Sequence, residues 1–599
     1  MRALIGATDR RSPSFTVICL ITSIFFNRYT IFLFGIYLYA TVIALLGGLG
    51  GVVALTKTPS LMVVSFRDGT GLKLIPEYWE LVLLFYLYCY GNLILRPSKM
   101  RPWLAALPIF LVYLIQDIYY LAYSSVFRLS GLAEAPELLK LLPWPYLLVL
   151  AGVFTLLLGY YLVSIQYQRY VVLLVGAVPF MLLTGAVYFF PTQYTALYQR
   201  VGQTIEFWSD DISAMNNGRL MMLFYREAER RLVVAQTRMF RNREAYEQEA
   251  QQLAKWIEAH GNRRDVHLVV MESFLDPTLL KKAKLTKNPF HPDFQRLFGN
   301  KMGFSLSPVF GGKTAQAEFE ALCGVHAFGE MTGVEFNSFT GSPANCLPGV
   351  LGQAGYESIA SNAYKPSFFN ALKAYKGIGF SEMYFPQEFD GTAKSYLRKG
   401  DTSGEMEYMF DGNLFTQNLE FITPLLKAPG HRPIFNYVLT IYGHMPHLIN
   451  KEKRPLVLKM QSPFKDQFLE WSANQIYYRS QAVADYVNNL MSIDPESLII
   501  LVSDHLPPGQ YGMASYQKLQ YLDGSEKSMH MNRILIVEAG KVKTLTTIHH
   551  YDIPALIINS ITDGAYCREN KCDFTAKGSR EDRLGLHDAY MRVMAHASE

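Results

Sequence analysis

Three short polar clusters, each placed directly behind an apolar run, hold the residue types that bind a cation and handle phosphate. Residues 267–271 (HLVVM) lead into Glu272-Ser273, 497–503 (SLIILVS) into Asp504-His505, and 433–442 (PIFNYVLTIY) into Gly443-His444-Met445-Pro446-His447. Carboxylates and an imidazole converging from separate strands suit a divalent ion such as Mn²⁺, Mg²⁺ or Zn²⁺. Each cluster alone is more often structural, so the expectation rests on their convergence.

A fourth candidate lies between them, in the stretch GGKTAQAEFEALCG at 311–324. Its glycines permit a tight turn, and Thr314 then falls at or just before the start of a helix. Backbone N–H groups and the helix dipole favour an anion there, while a threonine in that place also serves as a plain N-cap. A P-loop is excluded, because the first glycine of G-x-x-x-x-G-K-[ST] is missing. His447, three residues after His444, either lines the same mouth or is an ordinary hydrogen-bonded side chain. His549 and His550 precede a helix start with Asp552 as its cap and read as structural.

The elements needed to bring these residues together are legible from Asp265 onward. Short continuous apolar runs at 267–271, 433–442, 497–503 and 533–539 alternate with helical segments. That pattern predicts an α/β domain with a mostly parallel sheet covered on both faces. Ligands of such sheets bind beyond the carboxyl ends of the strands, which is where the polar clusters stand.

The front of the chain is different in kind. Of 599 residues, 18% are charged, against about 25% in soluble domains. The shortfall is concentrated in residues 1–190, where 20 residues, or 11%, are charged, against 21% of the remainder. Apolar runs of about 20 residues at 30–55, 78–95, 102–123, 141–163 and 170–190 predict an N-terminal bundle of about five transmembrane helices. The stretch 14–26 is too short to span and is expected at the interface, with a sixth span as the alternative. Arg2, Arg10, Arg11, Arg96, Lys99, Arg101 and Arg169 then fall on one side, the cytoplasmic one, which puts everything after Phe190 on the outer face. No small-residue cleavage site follows the first run, so an uncleaved anchor is expected.

Three domains follow: 1–190 transmembrane, 191–264 an amphipathic helical connector with charges at (i, i+4), and 265–599 extracytoplasmic. Asp117, in the third run, is expected near the outer end of its span. A net charge of +5, with acidic residues interleaved throughout, gives no case for nucleic acid. On the outer face Cys567 and Cys572 are expected to close a small disulfide loop, while the spacing of Cys323 and Cys346 leaves their pairing open.

Taken together, the motifs resemble the membrane-anchored sulfatase/alkaline-phosphatase-like transferases, in particular lipoteichoic acid synthases and periplasmic phosphoglycerol transferases. The residues that carry the resemblance are V-M-E-S-F at 270–274, G-K-T-x-x-x-E-F at 312–319, T-x-x-x-H-x-P at 440–446, S-D-H at 503–505 and H-H-Y-D-I-P at 549–554. The resemblance implies that Glu272, Thr314, Asp504 and His505 bind a catalytic divalent cation, most naturally Mn²⁺, with Thr314 also the nucleophile. It places His444 at the phosphate. The reaction it implies transfers a phosphoglycerol group from phosphatidylglycerol to an extracytoplasmic glycan or polymer, through a phospho-threonine. The setting is the outer, periplasmic face of a multi-pass protein of the cytoplasmic membrane.

The chain departs from the lipoteichoic acid synthases at SNAYKPSFFNA, residues 361–371. Where that group carries S-F-W-N-R preceded by a histidine, this chain has Ala371 in place of the arginine and Asn362 in place of the histidine. Lys365 is the cation available to replace the lost charge, and Asn362, Lys365, His444 and His447 form the expected substrate-binding set. Loss of a bidentate guanidinium bears on the headgroup. It leaves phosphoethanolamine transfer, or a catalytically silent membrane scaffold, as alternatives. A formylglycine sulfatase is disfavoured, since Thr314-Ala315-Gln316 does not match C/S-x-P-x-R.

Overall fold

The computed structural model describes residues 65–66, 72–73, 78–123, 126–129, 144–203, 205, 213–214, 217–390, 395–396, 401–403, 408–574 and 580–599. The chain divides into two compact units, Met1–Arg231 and Leu232–Glu599.

In the first unit, four apolar runs form helices: α1 (Tyr78–Ile94), α2 (Arg101–Tyr123), α3 (Trp144–Val163) and α4 (Tyr170–Phe189). They form because long stretches of Leu, Ala and aromatic residues hold few breakers. Pro108 and Pro179 lie inside α2 and α4. Large apolar side chains face outward on α3 and α4, with Leu156 74% and Leu182 68% exposed. Among the described residues one helix, Tyr167–Phe189, is long and apolar enough to cross a membrane. The apolar cores of the other three, Val82–Ile94, Arg101–Gln116 and Ala151–Val163, are shorter. The expected five spans are thus met by one helix on this measure, and the run 30–55 and the segment 14–26 lie outside the described residues.

Three further helices follow, α5 (Pro191–Val201), α6 (Arg219–Gln236) and α7 (Arg243–His260). The break between the two units falls within α6. Asn242 caps α7, its side chain accepting from the Ala245 N–H at 3.3 Å.

The second unit is built on a nine-stranded sheet. The elements that frame the site begin, in chain order, with β1 (Val266–Met271), β2 (Gly303–Leu306), α8 (Thr314–Cys323), α9 (Leu347–Gln353), β3 (Glu357–Asn362) and β4 (Glu382–Tyr384). Next come α10 (Asp411–Leu426), β5 (Ile434–Leu439), α11 (Gln467–Ile493), β6 (Leu498–Ser503), β7 (Met531–Glu538), β8 (Lys541–Lys543) and β9 (Ile548–His549). The order across the sheet is β9-β2-β7-β6-β1-β5-β3-β4, with β8 on β7.

The strands β6, β1, β5, β3 and β4 run parallel to one another. In place of the expected mostly parallel arrangement the sheet is mixed, because β7 pairs antiparallel with β6, β2 and β8. Every residue of β1, β5 and β6 is buried, as apolar runs covered on both faces require. Parallel register puts Met271 beside Ser503 and Val270 beside Leu439, so the three polar clusters leave the sheet at one edge.

Candidate active site

Glu272 follows β1 directly, and its N–H donates to the Thr440 hydroxyl at 3.0 Å just beyond β5. Ser273 turns the chain with a positive φ of 49°. Its N–H donates to Asp504 Oδ1 at 2.7 Å and its hydroxyl to Glu272 Oε1 at 2.8 Å. One left-handed residue thus fastens the first carboxylate to the second.

Thr314 arrives from the opposite side. Gly311 and Lys313 both adopt positive φ, and Lys313 is the N-cap of α8, so Thr314 is the first residue of that helix and no cap. Its hydroxyl donates to Glu272 Oε2 at 2.9 Å and lies 3.4 Å from His505 Nε2. The hydroxyl therefore sits at a helix N-terminus, where an added negative charge is stabilised.

His505 is oriented by its own backbone surroundings. Its Nδ1 lies 3.0 Å from the Leu506 carbonyl, which can only accept, so Nδ1 holds the proton and Nε2 offers a lone pair toward Thr314. Nε2 is 3.2 Å from Asp504 Oδ2. Ligand atoms of Glu272, Asp504 and His505 all lie within 4.8 Å of one another, and all three side chains are buried.

These residues fit a divalent cation. Burial, and then the charge of Glu272, push the Asp504 carboxyl well above the usual range. Its Oδ2 is buried with no hydrogen-bond donor of good geometry. Burial works to raise Glu272 too, but the neighbouring imidazoles of His444 and His505 and the hydroxyls of Ser273 and Thr314 outweigh it and hold that carboxyl low. Two buried carboxylates, one deprived of donors, and a lone pair aimed the same way form a cradle whose charge a cation would balance.

His444 is half-buried at the edge of this group. Its Nδ1 lies 2.8 Å from the Met445 carbonyl, which leaves Nε2 directed elsewhere, and its ring packs 5.1 Å from that of Tyr408. His447 is turned into the protein, with Nδ1 2.9 Å from the Gly443 carbonyl. Burial pushes its imidazole down to about 4, so it is neutral at ordinary pH.

Asn362 has both ends of its amide engaged: Nδ2 donates to the Tyr375 hydroxyl at 3.0 Å and Oδ1 accepts from Tyr364 N–H at 2.8 Å. Its network runs on beneath α8, where Tyr375 and Tyr437 donate to Glu318 Oε1 at 2.6 and 2.7 Å. Lys365 lies over the rings of Tyr364 and Phe389, its ammonium 5.0 and 5.5 Å from the centroids. Glu272, Thr314, Asp504 and His505 thus meet in one cluster. His444 lies within electrostatic reach of Glu272, while Asn362 and His447 are drawn into internal hydrogen bonds.

One residue that the sequence reading passed over sits behind the cluster. Arg479, in the middle of α11, is fully buried and pairs through Nε with Asp411 Oδ2 at 2.6 Å. Its Nη2 donates to the Glu272 carbonyl at 2.7 Å and lies 3.4 Å from Thr440 Oγ1. Gly443 must be glycine beside it, since an added Cβ would lie 2.2 Å from Arg479 Nη1 and from the Glu272 carbonyl. The signal was available: Ile476, Arg479, Val483, Tyr486 and Leu490 share one helical stripe, and an arginine on an apolar stripe calls for a buried partner.

Both cysteine pairs in this unit are disulfides. Cys323 at the end of α8 joins Cys346 just before α9, and Cys567 joins Cys572. His550 bridges Ser305 of β2 and the Ser503 carbonyl of β6, at 2.8 and 3.0 Å, in the structural role expected of it.

The sulfatase family model matches residues 264–559. A candidate cyclic beta-1,2-glucan modification protein of Rhizobium meliloti is 28% identical over 266 residues, which are 43% of this chain and 38% of that protein. An uncharacterized protein of Haemophilus influenzae is 26% identical over 235 residues, 38% of this chain and 39% of that one. The chain therefore spans less than half the length of these curated relatives. Among solved structures, the phosphoglycerol transferase GacH of Streptococcus pyogenes, in complex with sn-glycerol-1-phosphate, is 18% identical with a TM-score of 0.45, over 59% of this chain and 91% of that one. The lipoteichoic acid synthase LtaP of Listeria monocytogenes is 17% identical with a TM-score of 0.41, over 53% and 78%.

Proposed function

From a chain that belongs to the sulfatase family through residues 264–559, we propose a metal-dependent phosphotransferase. It moves a phosphoglycerol group from phosphatidylglycerol to an extracytoplasmic glycan by way of a covalent phospho-threonine at Thr314. The observation that carries this reading is the Thr314 hydroxyl, at the N-terminus of a buried helix and 2.9 Å from Glu272 Oε2, within the cluster completed by Asp504 and His505.

Glu272, Asp504, His505 and the Thr314 hydroxyl are the residues that would hold the cation. A bound divalent ion, most simply Mn²⁺, would lower the pKa of the hydroxyl and offset charge building on phosphorus.

The residues of the chain account for the remaining steps. Glu272 accepts the hydroxyl hydrogen bond and orients Oγ1 for attack. The Oγ1–P bond forms as the bond from phosphorus to the diacylglycerol oxygen breaks, and the threonine proton ends on that leaving oxygen. His444, at the mouth, is the side chain placed to bind phosphate and pass this proton. In the second half an acceptor hydroxyl attacks phosphorus, the Oγ1–P bond breaks, and the acceptor proton returns to Oγ1. The N-terminus of α8 stabilises negative charge through both halves.

The outward-facing apolar side chains of α3 and α4 support a membrane setting, as do two disulfides, which persist in oxidising compartments. The proposed arrangement is a multi-pass anchor in the cytoplasmic membrane, with residues 265–599 on the outer face and the 191–264 segment as connector. The glycan acceptor is supported by the likeness to the candidate glucan modification protein.

Purified full chain incubated with Mn²⁺ and labelled lipid tests the reading. Diacylglycerol released from phosphatidylglycerol by the parent, and not by Thr314→Ala, with a phosphoglycerol adduct on the Thr314 peptide, is the expected result. An adduct formed from phosphatidylethanolamine alone would replace the donor and keep the mechanism. Diacylglycerol release by Thr314→Ala at the parental rate would remove the nucleophile.

A further inference from the structure

A polar cavity opens in the second unit between α10 and α11. Its volume is about 740 Å³, within the range of about 300–1,000 Å³ usual for small-molecule sites. One rim is rigid. Arg454 is buried, pairs with both oxygens of Asp401 at 2.7 and 2.8 Å, and lies 3.2 Å over the ring of Phe410. Along the wall are the amides of Asn413, Gln481 and Asn489, and the ring of Tyr478 stands at the edge.

The chemistry of the lining selects a ligand class. Four charged residues border the cavity, Asp401 and Asp485 against Lys453 and Arg454, so the charges balance. Arg454 is already spent on Asp401 in a bidentate pair. An anion would gain little and would meet Asp485. Side-chain amides and a carboxylate suit hydroxyl groups, which both donate and accept, while aromatic faces suit the C–H face of a sugar ring.

The cavity is tied to the cluster around Thr314 by the segment that enters α10. Phe410, in the rim, packs 5.1 Å from Tyr442, and Tyr408, two residues earlier, packs 5.1 Å from the ring of His444. Asp411, the first residue of α10, holds Arg479, which in turn holds the Glu272 carbonyl. One short stretch of chain therefore shapes both the end of the cavity and the wall of the catalytic mouth.

We infer that the cleft between α10 and α11 is the acceptor subsite and takes an uncharged, polyhydroxylated chain, a neutral glycan, whose end reaches His444. This rests on the transferase reading above and adds to it the place and class of the acceptor. Two variants change the lining without touching the catalytic cluster: Gln481→Trp fills the cleft, and Asp485→Lys breaks its charge balance.

Two measurements on the purified full chain decide it. The first is equilibrium binding of linear β-1,2-gluco-oligosaccharides and, in parallel, of uronic-acid oligosaccharides of equal length, with no lipid present. The second is the acceptor KM for phosphoglycerol transfer to the same glucan. The expected result is binding of the neutral glycan by the parent, and at least about tenfold weaker binding with a matching rise in KM in both variants. Stronger binding of the acidic oligosaccharide would overturn the ligand class, and parental affinity in both variants would overturn the site. A parent that binds glucan through the cleft but forms no adduct at Thr314 would defeat the transferase reading and leave the glycan site standing. Thermal unfolding of each variant separates loss of the cleft from loss of the fold.

Discussion

Arg479 and Glu272 lie 207 residues apart in sequence, and the guanidinium of the first donates to the backbone carbonyl of the second at 2.7 Å. The same side chain is neutralised by Asp411, so a fully buried ion pair stands behind the carboxylate that receives the Thr314 hydrogen bond. Arg479 is therefore a positioning residue for Glu272.

Arg479→Met should unfold the second unit readily, at a cost of about 3–5 kcal/mol, because Asp411 is left buried without its partner. Arg479→Lys keeps the charge but cannot serve Asp411 and the Glu272 carbonyl with one planar fork. It is expected to retain the fold in a thermal melt and to lose about tenfold in Mn²⁺ affinity, as read by metal titration. Parental affinity in the lysine variant would confine Arg479 to a purely structural role.

Asp504 bears on stability in the opposite sense. Its Oδ2 is buried without a donor beside a second carboxylate, an arrangement that costs stability until a cation is present. Asp504→Asn should melt higher than the parent in chelator, by about 1–3 kcal/mol, and should gain nothing when Mn²⁺ is added. The parent should gain markedly on the same addition. A variant that melts lower in chelator would show that the pair is satisfied without metal.

Glu318 gives a pH dependence of known sign. Burial lifts its carboxyl from 4.5 to about 7, against the opposing hydrogen bonds of Tyr375 and Tyr437. The folded protein holds this proton more tightly than the unfolded chain, so the contribution to stability is complete below about pH 4.5 and is lost as pH rises toward 7. The loss amounts to about 3 kcal/mol at about 1.36 kcal/mol per pH unit. Glu318→Gln retains an acceptor for both tyrosines and should remove this part of the slope. Denaturant melts of the two proteins at pH 4.5 and 7.5 give the comparison, and parallel slopes would refute it.

Reduction of Cys323–Cys346 should loosen the end of the helix that begins with Thr314. The bridge closes a loop of 23 residues, worth about 3 kcal/mol in chain entropy. Cys323→Ser with Cys346→Ser should lower the midpoint of urea unfolding accordingly. Loss of the Cys567–Cys572 loop, with a separation of 5, should cost less, about 2 kcal/mol. Equal effects would count against a loop-length origin.

The sequence by itself determined the strands that matter most and the residues at their ends. Buried parallel strands must be continuously apolar, which is why β1, β5, β6 and β7 could be read directly, with Glu272, His444, Asp504 and His505 marked as the polar residues following them. β3 escaped notice because ESIASN has no such run, although its residues are buried from Ser358 to Asn362. The antiparallel course of β7 escaped too, since an apolar run carries no direction.

Tertiary structure alone decided which polar residues face the site. His444 and His447 are three residues apart in one loop, yet His444 is half-buried with Nδ1 on the Met445 carbonyl, and His447 is buried against Gly443. Asn362 is consumed by Tyr375 and Tyr364, and Arg479 reaches Glu272 from another helix. The physical reason is common to all of them. A strand-end carboxylate is announced by its apolar neighbours in sequence, whereas a buried polar side chain is defined by its hydrogen-bond partner, and these partners come together only when the chain is folded.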